Sequence, residues 1–238
     1  MQINGANVLV TGANRGLGRQ FAQSLVERGA AKVYATARRP ELIDVPGVIP
    51  VRLDVTDSAS IAAAAEAAPD VNILVNNAGI STGANLITGD LAAVRSEMDT
   101  HFYGTLGVIR AFAPGLAGGA ILNVLSAISW LAVDGAGAYH AAKAAEWALT
   151  NSARVELAAQ KTLVTGLHLG AADTDMMAWY DGEKTAPAVI VAAALDGLEA
   201  GHTEVLADTW SKQVKAWLAE DPSVIYREAT AALTALSS

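Results

Sequence analysis

The sequence predicts an α/β fold, a doubly wound parallel sheet of about seven strands with helices on both faces. Two observations predict it. Short apolar runs alternate with stretches of helical periodicity along all 238 residues. No linker, internal repeat or change of composition interrupts that alternation. We therefore expect a single domain over residues 1–238, a normal length for one doubly wound sheet.

The apolar runs predict the strands, and the segments between them predict the helices. The segment after the first strand places Phe21, Leu25 and Val26 at helical spacing. The alanine-rich stretches 61–68 and 192–195 also indicate helix, as do the segments 98–112 and 137–159. In chain order, the predicted strands lie near 7–11, 32–36, 49–53, 72–75, 119–125, 163–168 and 203–207.

A glycine-rich turn joins the first strand to the first helix. Its glycines are Gly12, Gly16 and Gly18, a spacing that differs from the G-x-G-x-x-G fingerprint. Glycines at this place allow a tight turn and a close backbone approach, and the amides of the helix face a pyrophosphate. Although such a turn alone is often only a turn, its position favours a dinucleotide site.

The end of the second strand predicts which dinucleotide binds. Sites that prefer NAD usually carry an acid there for the ribose 2′-hydroxyl. This chain has Ala37 followed by Arg38 and Arg39, with Arg15 in the glycine turn. Guanidinium groups hold a 2′-phosphate in a fork, so we expect NADP(H) to be preferred over NAD(H). The alternative is that Arg38 and Arg39 are solvated turn residues.

A hydroxyl, a phenol and an ammonium group are spaced for proton transfer. Tyr139 and Lys143 are four residues apart on a predicted helix and share one face. A neighbouring ammonium lowers the pKa of a phenol, and the hydroxyl of Ser126 can reach in from a strand end to hold a substrate oxygen. The pair alone is common on solvated helices, so the glycine turn is needed to support this interpretation.

Several motifs in the same order resemble the short-chain dehydrogenase/reductase family, of the compact single-domain type with a Rossmann fold. Residues 11–18 match its Thr-Gly-x-x-x-Gly-x-Gly loop, and residues 76–79 match its Asn-Asn-Ala-Gly motif. Asp54 matches the acid that meets the adenine amine. Ser126 falls on the substrate-polarising serine, and residues 139–143 match Tyr-x-x-x-Lys. The resemblance covers nearly the whole chain.

The resemblance implies a role for each matched residue. Tyr139 would be the general acid in carbonyl reduction and the base in alcohol oxidation. Lys143 would bind the nicotinamide ribose and lower the pKa of Tyr139, and Ser126 would orient the carbonyl oxygen. The implied cofactor-binding residues are Thr11, Gly12, Asn14, Arg15, Gly16, Leu17, Gly18, Arg38, Asp54, Val55, Asn77, Ala78, Gly79, Tyr139, Lys143, Gly170, Ala172 and Thr174.

The chain departs from the family pattern at two places. The family has a fourth catalytic residue, an Asn whose backbone holds a water at a helix irregularity, and this chain has His101 there. The histidine could keep that backbone role, relay protons itself, weaken the relay or merely pack. The second departure is Leu169 before Gly170, where the family usually has Pro-Gly.

An apolar segment after Thr174 predicts the substrate class. In the family, the corresponding segment folds over the substrate, and here it carries two methionines and two large aromatic residues. These residues favour a hydrophobic ketone or aldehyde, or the matching alcohol; the alternative is that they close the core. The predicted substrate-binding residues are Ser126, Ile128, Trp130, Met176, Met177, Trp179 and Tyr180.

Composition excludes several other classes of site and partner. The formal net charge of −8 argues against nucleic acid, which requires a basic face. The chain has no cysteine, and its four histidines have no ligand spacing, so we expect no metal. No apolar stretch is long enough to span a membrane, and the first strand begins too early for a signal peptide. A cytoplasmic homodimer or homotetramer is expected.

The favoured hypothesis is an NADPH-dependent oxidoreductase that reversibly reduces a hydrophobic carbonyl compound. A second hypothesis keeps the fold but lets His101 direct acid–base chemistry such as dehydration, cyclisation or epimerisation. A third is a regulator that senses NADPH without turnover, against which the intact Ser126, Tyr139 and Lys143 argue. The physiological substrate, its stereochemistry and the direction of reaction are left open.

Overall fold

The structure, a computed structural model, describes residues 1–227. Its seven strands all pair in parallel, which confirms the predicted fold class. The strands are β1 Asn7–Val10, β2 Lys32–Ala37, β3 Ile49–Arg52, β4 Ile73–Asn76, β5 Ala120–Val124, β6 Leu163–His168 and β7 Glu204–Leu206. Each lies within one of the predicted strands or overlaps it closely.

Helices connect the strands and cover both faces of the sheet. They are α1 Gly16–Glu27, α2 Ser58–Ala67, α3 Leu91–Met98, α4 Thr105–Phe112, α5 Gly137–Glu156, α6 Pro187–Glu199 and α7 Thr209–Trp217. The predicted helix over 98–112 is interrupted, because a π-helical segment, Asp99–Gly104, joins α3 to α4. Pi-helical segments inside helices are rare and often lie at functional sites.

The order of the strands brings the predicted motifs together. The sheet runs β3-β2-β1-β4-β5-β6-β7, so the direction of winding reverses between β1 and β4. In such sheets, ligands bind outside the carboxyl ends of the strands at this reversal. Thr11, Asn77 and Ser126 follow the carboxyl ends of β1, β4 and β5, so all three lie at that edge.

Two apolar layers hold the sheet between its helices. Along β1, Val8 and Val10 pack with α1 and α6, whereas Leu9 packs with α2, α4 and α5 on the opposite face. Successive side chains of a strand point to opposite faces, and a parallel sheet buries both. The near-continuous apolar strands of the sequence follow from this double burial.

A smaller aromatic cluster closes the carboxyl edge beside β6 and β7. Trp210 and Trp217 of α7 lie with ring centroids 5.7 Å apart and pack near Trp130 and buried Leu131. The two tryptophans therefore contribute to packing within the chain. Within residues 1–227, no helix has the length and apolar character needed to cross a membrane.

Candidate active site

The glycine turn is tied to the end of β4 by hydrogen bonds. The hydroxyl of Thr11 accepts from the backbone amides of Asn77 and Ala78, both at 2.9 Å, and the Asn77 side chain donates to the Thr11 carbonyl at 2.9 Å. These bonds connect two motifs that are 66 residues apart in the sequence. Asn77 thus holds the turn in shape, a role that the motif alone did not indicate.

The glycines of the turn are required by its geometry. Gly12 has φ of +67° and Gly16 has φ of +54°, a region in which side chains are strained. A Cβ at Gly18 would overlap the carbonyl oxygen of Gly12 and the Asn77 side chain. Arg15, which precedes α1, makes no side-chain cap to the amides of the first turn. Uncapped amides beside a narrow backbone cradle fit a pyrophosphate group.

Exposed arginines flank this turn. Arg38 and Arg39 are exposed just past β2. Arg15 lies 3.6 Å from the carboxylate of Asp175, with 68% and 79% of the two side chains exposed. An ion pair this exposed is weak, so Arg15 is available to another anion. A 2′-phosphate would fit beside these guanidinium groups.

Asp54 is held as an ionised acceptor after β3. Its carboxylate accepts from the backbone amide of Thr56 at 3.0 Å and from the Thr56 hydroxyl at 2.7 Å. Partial burial raises the pKa of Asp54, but the Thr56 donors and the charges of Arg38 and Arg52 outweigh burial and hold the pKa below its usual value. An ionised carboxylate here can accept a hydrogen bond from an amine.

Ser126 is fixed by the turn that follows β5. Its hydroxyl accepts from the Ile128 amide at 3.3 Å, and its own amide donates to the Ser129 hydroxyl at 3.2 Å. The Ser126 hydroxyl donates to the Leu169 carbonyl at 3.4 Å, and Ser126 also lowers the pKa of the Tyr139 phenol. Ser129 therefore supports the turn, while Ser126 faces the phenol.

Tyr139 is surrounded by groups of both charges, and together with burial they set the pKa of its phenol. Burial raises the pKa of the phenol most, and Glu146 and Glu97 raise it further, whereas Lys143 and Ser126 lower it. The net pKa is raised. Lys143 lowers the pKa of Tyr139 in the predicted direction, but burial and two carboxylates outweigh this one ammonium. Tyr139 therefore holds its proton in this structure.

Lys143 is fully buried and held by two acceptors. Only 3% of the residue is exposed, and its ammonium donates to the Val124 carbonyl and to Glu146 Oε2, each at 2.7 Å. Burial lowers the pKa of Lys143, but the charges of Glu146 and Tyr139 raise it above its usual value. Glu146 was missed from sequence. The positions 139, 143 and 146 share one helix face, which is the signal that could have found it.

The π-helical segment directs His101 into the site. The imidazole is 1% exposed, and its ring meets the Tyr139 ring edge to face with centroids 5.2 Å apart. A Cβ on Gly79 would come 2.6 Å from His101 Cε1, so the glycine of the Asn-Asn-Ala-Gly motif makes room for this ring. The structure thus brings His101 to Tyr139, and its part in proton transfer stays a prediction.

The loop after β6 is held without the family's proline. The Gly170 amide donates to Asp208 Oδ2 at 2.6 Å, and a Cβ at Gly170 would lie 3.0 Å from the Trp210 ring. Thr174 lies across from the glycine turn, since its Cγ2 is 3.5 Å from where a Cβ of Gly16 would stand. Leu169 itself is buried.

The predicted substrate segment is an exposed loop whose two ends are paired with each other. A bridge between Ala172 and Thr185 closes the loop. Within the loop, Met176 is 38% exposed and Trp179 is 74% exposed. The Trp179 and Tyr180 rings lie edge to face at 5.9 Å. An apolar surface of this kind is free to cover a ligand.

Two predicted substrate residues have other contacts in the structure. The Trp130 ring stacks on His168 at 3.7 Å and packs towards α7, so much of its surface is used in packing. The Ile128 carbonyl lies 2.6 Å from His140 Nδ1. Their contact with substrate stays a prediction. Sequence reasoning missed Leu86 and Ile87, which are 42% and 95% exposed on a loop packed against the start of α5.

Among the described residues, no group of three or more His, Asp or Glu side chains is arranged to hold a metal ion. The carboxylates of Glu97 and Glu146 lie beside His101, and the Glu146 carboxylate also contacts the Lys143 ammonium.

Comparison with known proteins identifies relatives of this chain. Residues 6–184 match the sequence pattern of the short chain dehydrogenases. The chain is similar to an NADPH-dependent 1-acyldihydroxyacetone phosphate reductase of Schizosaccharomyces pombe, with 34% identity over 193 residues that cover 76% of this chain and 65% of that enzyme. It is also similar to a short chain dehydrogenase of Aspergillus terreus, with 33% identity over 198 residues covering 74% and 43%. The chain thus spans less than two thirds of either relative.

A solved structure matches nearly the whole fold. It is a short chain dehydrogenase from Burkholderia cenocepacia in complex with NADP, with a TM-score of 0.92 and 38% sequence identity. The match covers 96% of this chain and 98% of that one. The similarity therefore includes the glycine turn, the carboxyl edge of the sheet and the segment beyond β6.

Proposed function

The chain belongs to the short chain dehydrogenase family, and from this premise we propose that it reduces a hydrophobic ketone or aldehyde with NADPH and also runs in reverse. One observation carries the proposal. Ser126, a protonated Tyr139 and a cationic Lys143 meet at the carboxyl edge of the sheet, beside a cradle that fits a pyrophosphate. These are the groups needed to protonate an oxygen as a hydride arrives.

Each side chain has a definite task in this reaction. Nicotinamide, when bound, supplies the hydride. Tyr139 donates its proton to the carbonyl oxygen, and the raised pKa of the phenol keeps that proton in place until it is needed. Ser126, which lowers the pKa of the phenol, orients the same oxygen. Lys143 presents a positive charge that stabilises the phenolate left behind.

The arginines at the nucleotide end support NADP(H) over NAD(H). Arg38 and Arg39 are exposed where an acid would repel a 2′-phosphate, and Arg15 makes only an exposed ion pair. A guanidinium fork suits a phosphate group. The solved relative in complex with NADP and the NADPH-dependent yeast relative support the same preference.

The exposed apolar loop supports a hydrophobic substrate. Met176 and Trp179 would lose exposed apolar surface when covering a ligand. Burying such surface stabilises a complex by roughly 25 cal/mol per Å². Aryl and alkyl ketones or aldehydes fit this surface better than sugars or anionic metabolites.

The deciding experiment measures oxidation of NADPH and of NADH by the purified protein with a panel of aryl and alkyl ketones and aldehydes. We expect turnover with NADPH and much slower turnover with NADH. Preference for NADH would refute the arginine assignment and leave the reaction class intact. Tight NADPH binding without oxidation of either cofactor would refute the reductase.

One observation favours a second candidate function. His101 is buried against the Tyr139 ring with two carboxylates nearby, and this adds acid–base groups to the site. A non-redox reaction such as dehydration, cyclisation or epimerisation could use them. The same substrate panel, analysed for products formed without net NADPH oxidation, distinguishes this candidate from the reductase.

We also propose that the protein forms a homodimer or homotetramer through α4 and α5. The support is the position of Val155, which is 76% exposed on α5. Exposed aliphatic side chains on a long helix are suited to an isologous contact. Analytical ultracentrifugation of the protein measures the size of the assembly directly.

A further inference from the structure

One peptide group lies between the turn that carries Ser126 and helix α7. It joins Leu169 to Gly170, directly after β6. Strand β7 pairs with β6 in parallel up to the last residue of both strands. Because parallel strands advance side by side, the residues two positions further on also come together. Gly170 therefore meets Asp208, the residue that caps α7.

The carbonyl of this peptide group faces the serine turn. The Leu169 carbonyl accepts from the Ala127 amide at 2.8 Å and from the Ser126 hydroxyl at 3.4 Å. The first bond fixes the backbone next to Ser126. The second is long for a hydroxyl donor, so the hydroxyl can exchange it for a substrate oxygen. The Leu169 carbonyl thus holds Ser126 in place and leaves its hydrogen available.

The amide of the same peptide group faces α7. The Gly170 amide donates to Asp208 Oδ2 at 2.6 Å, and the Ser211 amide donates to Asp208 Oδ1 at 2.7 Å. Each carboxylate oxygen therefore holds one backbone donor. Hydrogen bonds to a carboxylate are shorter and stronger than those between neutral groups. With one side chain, Asp208 both caps α7 and holds the peptide group.

Helix α7 is itself packed against the serine turn. Val214 of α7 is buried with Ala127 and Leu131, and Trp210 packs against this cluster. The Trp210 side chain also lies against Gly170, because a Cβ at that glycine would come 3.0 Å from its ring. The serine turn, the peptide group and the first turns of α7 therefore form one packed unit.

Hydrogen bonds on its two sides determine the orientation of this peptide group. Residue 169 is a leucine, so no proline ring fixes its φ angle. The carbonyl and the amide of one peptide lie in one plane. A rotation that releases the Gly170 amide from Asp208 would therefore also swing the Leu169 carbonyl away from Ser126. An acceptor at the amide also polarises the carbonyl and strengthens its own hydrogen bonds.

We infer that Asp208 is a positioning residue for the proposed reduction: it holds the peptide group between Leu169 and Gly170 in the orientation that places the Ser126 hydroxyl for the substrate oxygen. Asp208 acts through this peptide group and not on the reacting atoms. Its effect on catalysis rests on the proposed function, whereas its hold on Gly170 does not. The C-terminal helix thereby takes part in ordering the active site.

The first test measures hydrogen exchange of the Gly170 amide by NMR and needs no substrate. In Asp208→Ser, the side chain can still cap α7, because serine and aspartate are equally good N-caps, but its single oxygen is used by that cap. We expect the Gly170 amide to exchange at least about tenfold faster than in the wild type, while the Ser211 amide stays protected. Unchanged exchange at Gly170 would overturn the inference.

The second test is a double-mutant cycle on kcat for carbonyl reduction. In the wild-type background, Asp208→Ser should lower kcat about tenfold, less than the ~10²-fold that a displacement of 1 Å can cost. The KM for NADPH should change little. In the Ser126→Ala background, no hydroxyl remains to be placed, so Asp208→Ser should lower kcat less than about twofold. Equal losses in the two backgrounds would mean that Asp208 does not act through Ser126.

Two further variants control for the loss of a helix cap. Asp57→Ser is the matched control, because Asp57 caps α2 by accepting from the Ala59 amide at 2.9 Å. It should leave kcat and the exchange of Gly170 unchanged. The single side-chain oxygen of Asp208→Asn can hold either the cap or Gly170, so its kcat should lie between those of the wild type and Asp208→Ser. A loss in Asp57→Ser as large as that in Asp208→Ser would overturn the inference.

The two tests separate a failure of this inference from a failure of the proposed function. If the wild-type protein oxidises no NADPH, the proposed reductase fails, and hydrogen exchange alone decides whether Asp208 holds the peptide group. If the wild-type protein reduces carbonyl compounds but Asp208→Ser lowers kcat equally with and without the Ser126 hydroxyl, the function stands and the positioning role fails.

Discussion

At the scale of single residues, the phenol of Tyr139 is the proton donor that the proposed reaction needs. Replacing it in Tyr139→Phe keeps the ring that packs against His101 and removes only the hydroxyl. We expect kcat for carbonyl reduction to fall by about 10²–10⁴, the usual contribution of a positioned acid, with the melting temperature nearly unchanged.

The matched control is Tyr103→Phe, since Tyr103 is 59% exposed and should tolerate loss of its hydroxyl. Steady-state kinetics and thermal melts of both variants make the comparison. Full activity in Tyr139→Phe would mean that another group protonates the substrate.

Arg38 is the residue that we propose sets the preference for NADPH. Removing the guanidinium in Arg38→Ala should raise the KM for NADPH by about tenfold, equivalent to about 1.4 kcal/mol, and leave the KM for NADH almost unchanged. The Arg38 guanidinium would contact the 2′-phosphate, which NADPH has and NADH lacks. Lys212→Ala, on the exposed side of α7, controls for the loss of a cation at a distant place. Equal effects on NADPH and NADH would contradict the assignment.

At the scale of elements, the π-helical segment between α3 and α4 gives the site its fourth group. Periodicity predicts a helix over 98–112, but it reports which face is apolar and not where an extra residue is inserted in a turn. The insertion sets the direction of the His101 side chain, and Gly79 leaves the space that its ring occupies.

This packing predicts the effect of Gly79→Ala. The new methyl group would come 2.6 Å from His101 Cε1, so either the ring or the backbone after β4 must move. We expect a loss of about 1–3 kcal/mol in the free energy of unfolding, as for other overpacked sites, together with a lower kcat.

Gly115→Ala is the control for Gly79→Ala, because a Cβ there would meet only an ordinary contact at 3.5 Å. Denaturant unfolding and steady-state kinetics measure the two effects. Wild-type stability and activity in Gly79→Ala would show that His101 has room to move and that the contact does not position it.

At the scale of the whole molecule, the stability of the fold depends on pH through His168. Burial beneath Trp130 lowers the pKa of His168 to about 4 from 6.5. The unfolded chain therefore binds a proton between these pH values that the folded chain does not bind. The contribution of His168 to the free energy of unfolding is fully present above about pH 6.5 and is lost as the pH falls towards 4. The total contribution is about 3 kcal/mol.

The variant His168→Gln removes the titrating ring and keeps a polar side chain at that position. Its free energy of unfolding should vary less between pH 7 and pH 4.5 than that of the wild type, as measured by urea unfolding at several pH values. Parallel pH dependence in the two proteins would mean that His168 is not held neutral by the fold.

The architecture of the sheet and the location of the candidate site are both predictable from the sequence. Apolar runs predict the strands because both faces of a parallel sheet are buried. The glycine turn is predictable because no other residue fits Gly12, Gly16 and Gly18, and the helical spacing of Tyr139 and Lys143 is a local property of one helix.

The balance of charges in the site, in contrast, depends on contacts between elements that are far apart in the sequence. Glu97 lies four residues before His101 on adjoining helical segments, but Glu146 lies on α5, so no local spacing pairs that acid with the imidazole. The net rise in the pKa of Tyr139 has a similar origin, since burial and the two acids act through space and outweigh the lowering by Lys143. Distances between elements and the depth of burial set electrostatic energies, and both exist only once the chain has folded.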